Sequence, residues 1–356
     1  MAAITSVQTA TISIADGVAT NTATITAVVI ANCQVFASAR GTEATPGGLF
    51  DLIFAAARLT STTVVTAYMG TTDGTTPTKI VRYYVAEFSS GVASQNGTTA
   101  KGAGAGILNI TVSSVTLAQS WLPSANWTNR GATDVSYHRG ALYLQSATNI
   151  EFSSASSEAI GTIVWNVSQY TGGASQRAEI AAASDWTSTT ATITAVTLAE
   201  TLLRHGEEGN NNFDIDAWAI RGRVTLTTEL TFDRQEANWA GDIRWELMDY
   251  NEGAVQSATF TQAATVATNN ETITSTILNQ SIACSSNIGY GGRRTVDDTT
   301  DRHETVDWTH SLTTTTNLEL QRADTGYAVS GAYFVMQFLA AAVAQIRLRT
   351  LLGVGI

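Results

Sequence analysis

The sequence predicts an all-β chain of four tandem β-sandwich repeats, each about eighty residues long, with a further strand or arm after the fourth. Three observations lead there. First, an apolar stretch carries an aromatic residue, Val or Leu two residues later and a second aromatic five residues later. It occurs four times, as Tyr83-Val85-Phe88, Trp165-Val167-Tyr170, Trp245-Leu247-Tyr250 and Tyr333-Val335-Phe338. Second, other markers recur with it in a fixed order. Glutamines lie at positions 8, 95, 176, 256 and 345, stepping by 87, 81, 80 and 89. Thr24-Ile25-Thr26, Thr111-Val112-Ser113, Thr192-Ile193-Thr194 and Thr272-Ile273-Thr274 step by 87, 81 and 80. Thr148 to Phe152, Thr228 to Phe232 and Thr316 to Leu320 form a further set, with a degenerate copy at Thr62 to Ala67. Markers in one order at one period mean one supersecondary unit copied. Third, charged residues make up only 14% of the chain and the balance is Thr, Ser, Ala and Gly, the composition of sheet surfaces rather than of charged helices.

In repeat one, Val7 to Ile14 alternates small or polar with apolar residues, the period of a half-buried strand. Ala15-Asp16-Gly17 is a turn, and Ala23 to Val29, Gln34 to Ala37 and Val64 to Tyr68 read as further strands. Asp51 to Arg58 has some helical character, but its place matches Ala141 to Leu144 of the second repeat, so it is read as strand. Ile80 to Phe88 closes the unit. In repeat two, Gly102 to Gly106 is followed by a strand, Ile107 to Val112, where a phosphate-cradling loop would need a helix; it is a turn. Repeat three is the cleanest copy, and repeat four carries a polar insertion around Gly291 to His310. The boundaries fall at 1–92, 93–174, 175–254 and 255–338, with an arm at 339–356, and about seven strands are expected per repeat. Short Thr/Val/Ile strands joined by Gly and Asn turns describe a small sandwich of immunoglobulin-like type.

Within each aromatic strand, the first ring and the Val or Leu two positions on share a face. Tyr83 with Val85, Trp165 with Val167, Trp245 with Leu247 and Tyr333 with Val335 are therefore the expected repeat cores. The second ring, on the other face or at the turn, is expected to meet a neighbouring repeat or subunit.

Net charge is −11 and the chain has two lysines, Lys79 and Lys101, so nucleic acid is not an expected partner. No stretch approaches the ~20 apolar residues that span a bilayer, and the N-terminus lacks the pattern of a secretory signal, so neither membrane nor secretion is expected. Cys33 and Cys284 read as free buried thiols. Catalytic motifs are absent: none of His138, His205, His303 and His310 belongs to a zinc or nucleophile motif, and no cofactor is expected. Glu207-Glu208 with Asp214 and Asp216 offers carboxylates for glycoside hydrolysis, but nothing in the sequence fixes their separation. The weak metal candidates are Asp297, Asp301, Asp307 and His310, in one dense acidic stretch whose spacing matches no ligand loop of known geometry.

The repeated aromatic, Val/Leu, aromatic and glutamine units cover residues 4–345. In this the chain resembles the structural proteins of tailed-bacteriophage virions built from tandem immunoglobulin-like domains, whether decoration, collar, tail or fibre. The resemblance implies a non-enzymatic virion component, made and assembled in the host cytoplasm, with copies of itself and other virion proteins as partners. The alternative is a receptor-binding fibre or adhesin module gripping a host surface glycan, with Trp308 and the stretch Ser124 to Arg130 as candidate contacts. Finally, five glutamine strands face only four aromatic strands. The first is expected to lack a preceding partner, and the last, with Val343, Ile346, Leu348, Leu351 and Leu352, is expected to dock on a neighbouring subunit or another virion protein rather than complete its own fourth sandwich.

Overall fold

A strand with one apolar face needs a partner layer, and each repeat supplies it from its own residues. The computed structural model describes residues 2–339 except 16, 43–54, 70–77, 103–105, 128–139, 155–160, 210–218, 238–239, 252, 287–291, 295–306 and 324. Repeat one contains β1 (Ala3–Ile14), β2 (Thr20–Thr24), β3 (Cys33–Gly41), β4 (Ala55–Ser61), β5 (Val64–Met69) and β6 (Lys79–Ser90). Repeat two contains β7 (Val92–Lys101), β8 (Ile107–Thr111), β9 (Ser120–Trp127), β10 (Ala141–Ser146), β11 (Asn149–Ser153) and β12 (Gly161–Tyr170). Repeat three contains β13 (Ala174–Ala182), β14 (Ser188–Thr192), β15 (Thr201–Gly209), β16 (Arg221–Leu226), β17 (Glu229–Asp233) and β18 (Gly241–Asp249). Repeat four contains β19 (Ala254–Gln262), β20 (Thr268–Thr272), β21 (Ser281–Ser285), β22 (Gly292–Arg294), β23 (Thr309–Thr314), β24 (Asn317–Gln321) and β25 (Val329–Gln337).

The all-β, tandem-sandwich class is as the sequence predicts. Every repeat pairs two antiparallel sheets, β1-β6-β3 with β2-β5-β4, β7-β12-β9 with β8-β11-β10, β13-β18-β15 with β14-β17-β16, and β19-β25-β21 with β20-β24-β23. Among the described residues this makes six strands per repeat, with β22 added to the edge of β25 in the fourth, rather than the seven expected. The likeness to immunoglobulin domains is one of architecture: here the first strand pairs with the last of its own repeat instead of with the second. β1, which no aromatic strand precedes, runs antiparallel to β6 of its own repeat from Ala3 to Ile14.

The register is shared by all four copies. Gln8 lies opposite Val85, Gln95 opposite Val167, Gln176 opposite Leu247 and Gln256 opposite Val335. The turns from one repeat to the next contain Gly91, Gly172 and Gly253 at φ of 77°, 99° and 115°, a region open to glycine and costly for other residues. A Cβ on Gly91 would also stand 2.5 Å from the Ala2 backbone.

The four sandwiches are not beads on a string. A 3-10 turn precedes the third strand of each repeat, at Ile30–Asn32, Leu117–Gln119, Leu198–Glu200 and Leu278–Gln280. Each such turn packs on the first strand of the following repeat, and the last packs on β1. The fourth strands behave likewise: β4 contacts β12, β10 contacts β18, β16 contacts β25, and β23 contacts β6. The chain is a closed ring with approximate fourfold symmetry.

Its axis is filled by the second aromatics. Phe88, Tyr170, Tyr250 and Phe338 form a closed circuit of edge-to-face pairs at centroid distances of 5.8, 4.7, 5.7 and, back to Phe88, 5.0 Å. One apolar core therefore runs through all four repeats, while the interior of the first sandwich, around Ile12, Val35, Leu59, Val65 and Tyr83, forms a second cluster beside it.

Candidate functional surfaces

The marker residues turn out to be fasteners. In each repeat the glutamine of the first strand reads both backbone groups of the residue that ends the Thr-Ile-Thr marker. Gln8 accepts from Thr26 N at 2.8 Å and donates to Thr26 O at 3.0 Å. Gln95 does the same with Ser113, Gln176 with Thr194 and Gln256 with Thr274, at 2.6 to 2.9 Å. A primary amide presents one acceptor and one donor side by side, so it continues a β-ladder where the second strand has left the sheet. A second fastener escaped the sequence reading. Glu87, Gln169, Asp249 and Gln337, each four residues after the first aromatic, accept from the backbone N–H of Val29, Thr116, Thr197 and Ile277, just ahead of the 3-10 turns. Three residue types fill this one position because each offers an acceptor oxygen, so identity alone hides it.

The seams between repeats hold the buried polar groups. At the seam of repeats four and one, the Tyr84 hydroxyl accepts from Leu312 N at 3.1 Å and donates to His310 O at 2.9 Å. The matching residue in repeat three, Glu246, accepts from Leu122 N at 2.8 Å and Leu144 N at 2.6 Å across the seam with repeat two. Arg244 joins the same seam, 2.5 Å from Glu151, 3.0 Å from Glu179 and stacked 4.5 Å over Tyr143. Nearer the axis, the fully buried Arg204 donates to the Pro123 carbonyl; burial lowers its pKa, with Cys284, Glu246 and Tyr250 opposing that shift.

At the seam of repeats three and four, His205 Nε2 lies 3.4 Å from Ser286 Oγ and its Nδ1 3.3 Å from Glu207 Oε1. The order Ser, His, Glu is that of a hydrolytic triad, but all three residues are buried and the ring is wedged edge-on against Phe232 at 5.3 Å. Gly222 packs directly on the imidazole, where an added Cβ would stand 2.6 Å from the ring. Glu207 and Glu208, successive on β15, turn to opposite sides, one to His205 and the other to Arg244 at 3.7 Å. They do not flank a common bond as a glycosidase pair must; Asp214 and Asp216 lie outside the described residues.

The expected core residues Tyr83, Val85, Val167, Trp245, Leu247, Tyr333 and Val335 are buried, and Trp165 is half-buried with its Nε1 3.3 Å from Thr99 Oγ1. Of the metal candidates, Asp297 and Asp301 lie outside the described residues, whereas Asp307 and His310 are both buried. Burial pushes the His310 pKa down to about 4. Among the described residues no group of three or more His, Cys, Asp or Glu is placed to hold a metal ion. Trp308, a candidate glycan platform, is a core residue: its Nε1 donates to Gln262 Oε1 at 2.9 Å and its ring packs 5.0 Å from Phe260. Of the other candidate stretch, Ser124 is buried, Asn126 donates to the Ala55 carbonyl at 3.1 Å, and residues 128–130 lie outside the described part. Both cysteines are free and buried. Burial raises Cys33 to about 12 and Cys284 to about 11, which keeps both as unreactive thiols. Cys33 bonds back to the Val29 carbonyl at 3.3 Å, the place taken by Ser120, Thr201 and Ser281 hydroxyls in the other repeats.

What remains on the outside is divided between the two ends of the ring. One end carries the 3-10 turns, the Gly91, Gly172 and Gly253 turns and the tight turns between fourth and fifth strands. Val29, Leu198, Leu226, Ile277, Leu278 and Leu339 stand there, each 38–56% exposed. Only Val18 and Ile107, of the exposed large apolar residues described, belong to the other end. At that other end the third strands stop and the fourth begin. The predicted docking residues Val343, Ile346, Leu348, Leu351 and Leu352 lie outside the described residues. The fourth sandwich is complete without them, since β25 already lies between β19 and β21. Neither protein-family models nor curated proteins yielded any match to this chain.

Proposed function

We propose that this chain is a non-enzymatic structural protein of a virus particle, of the tailed-phage decoration, collar, tail or fibre type, assembling with copies of itself and with other virion proteins. The observation that supports this reading most is the division of the ring: an end of tight turns with an apolar rim, and an interior in which the polar groups serve repeat-to-repeat fastening. Exposed apolar patches of this kind mark interaction sites. The polar clusters that resemble catalytic sets are sealed at seams. A glycan-gripping module is the competing reading, and the burial of Trp308 removes one of its two supports.

Mass spectrometry of purified particles from the source phage tests the proposal. The chain is expected there in a fixed, multiple copy number that survives washing at high salt. Absence from particles, with strong and selective binding on a glycan array, contradicts it.

A further inference from the structure

We propose that the seam of repeats three and four is a binding cleft for a small organic carboxylate, which supplies there the acceptor oxygen that Glu246 supplies at the seam of repeats two and three.

The seams differ at one position, the residue that follows the first aromatic. In two of them it accepts a backbone N–H from the preceding repeat around the ring. Tyr84 accepts from Leu312 on β23 at 3.1 Å, and Glu246 from Leu144 on β10 at 2.6 Å. At the seam of repeats one and two the position is Asn166, whose amide is engaged with Ser168 and Gln95 inside its own repeat. At the seam of repeats three and four it is Phe334, which has no acceptor to give.

The donor that such an acceptor would meet is in place. Gly222 N on β16 crosses this seam to Ser286 Oγ at 3.3 Å, and Val224, two residues along the strand, turns its N–H to the same side. Val224 lines a half-open cleft of about 130 Å³ whose apolar floor is Phe334 and Ala332, both buried. Arg223 lines it too. Its Nη2 donates to Asp233 at 2.8 Å, while its buried Nε has no hydrogen-bond partner among the described residues. Ser257 and Thr259, both exposed, form the mouth.

Two N–H donors above an apolar floor define the ligand. An anionic oxygen makes charge-assisted bonds with such donors, stronger than those of a neutral acceptor. An inorganic anion would leave the ring of Phe334 and the Ala332 methyl uncovered, whereas a short alkyl or phenyl body covers them. Size agrees, since an apolar cavity of roughly 150 Å³ admits benzene. Because the donors belong to repeat three and the floor to repeat four, the bound carboxylate ties the two repeats together and stabilises the closed ring by mass action.

An amide-resolved NMR titration of the isotope-labelled full chain with butyrate tests the cleft, with butyramide and chloride as controls. A saturable shift centred on Val224 and Arg223 is expected for butyrate, and none for chloride. Butyramide is expected to bind about tenfold more weakly or worse, the loss that goes with replacing a charged acceptor by a neutral one. Arg223→Gln, with a melting profile like that of the parent chain, is expected to weaken butyrate binding by about the same factor. Phe334→Glu provides a carboxylate from the chain itself, as Glu246 does, and is expected to abolish the butyrate response; if that variant fails to fold, Arg223→Gln decides alone. No saturable shift at this seam, equal affinity for butyramide, or undiminished binding by Arg223→Gln overturns the proposal.

Discussion

The side-chain amide of Gln176 spans both backbone groups of Thr194, accepting from its N–H at 2.7 Å and donating to its carbonyl at 2.9 Å. The two residues are eighteen apart, and so are the equivalent pairs in the other three repeats. This one relationship joins the two sheets of a sandwich at the point where the backbone ladder ends.

Gln176→Ala is therefore expected to cost about 1 kcal/mol, the net worth of hydrogen bonds at a water-accessible site. Gln176→Glu keeps the acceptor but sets a carboxylate against the Thr194 carbonyl, so it is expected to cost at least as much as Ala. Urea unfolding of the two variants and of Gln256→Ala checks both statements.

Tyr84→Phe removes a hydroxyl that bridges Leu312 N and His310 O at a buried seam. Two backbone groups lose their partner out of reach of water, so a loss of about 2 kcal/mol is expected. If the ring is closed, the loss lowers one cooperative transition. A string of independent sandwiches would instead show one repeat melting early and three unchanged.

These two sites differ in how far the sequence reveals them. The Gln to Thr fastening lies within one repeat at constant separation, so copying the unit copies both partners and a period search finds them. The spacing of Tyr83 and Val85 against Phe88 likewise separates the ring that fills the sandwich from the one that meets neighbouring repeats. Closure of the ring leaves no such trace. Tyr84 and Leu312 are 228 residues apart, and the position that Tyr84 holds in its repeat is taken by Asn166, Glu246 and Phe334 in the others. Each seam was solved with its own chemistry, which periodicity cannot report. Trp308 misled for a similar reason: its polar neighbours in sequence suggested a loop, but the chain from Thr309 onward is strand and the ring turns inward.

His310 is buried at the seam, its carbonyl accepting from the Tyr84 hydroxyl and its backbone N–H donating to Ser38 Oγ at 3.2 Å, and burial pushes its pKa from 6.5 to about 4. The unfolded chain binds this proton at higher pH than the folded ring does. Stability is thus fully present above about 6.5, falls as pH drops toward 4 and levels below it, by about 3 kcal/mol in all. His310→Leu, the residue found at the matching position 142 of repeat two, is expected to flatten that slope. Unfolding free energies measured from pH 4 to 7 decide it; an unchanged slope in the variant contradicts the assignment.

Trp245 is 3% exposed, and its Nε1 has no hydrogen-bond partner among the described residues, so it contributes packing. Trp245→Ala is expected to cost about 3–5 kcal/mol through the cavity left behind. Trp165→Ala, at a half-buried ring, is expected to cost less. Equal and negligible losses would point to rings that serve a ligand rather than the core.

The closed ring is the claim on which the seams, the axial aromatics and the apolar end all depend, and a distance between its first and last strands tests it most directly. Spin labels placed on Thr5→Cys and Leu339→Cys, with Cys33 and Cys284 buried and unlabelled, can be read by electron-electron resonance after dilution with unlabelled chain. Because Ile4 N and Leu339 O are 3.3 Å apart, a single short separation set by the label linkers is the expected result. A broad separation several sandwich widths long would mean that the four repeats form an open string, and would contradict the account.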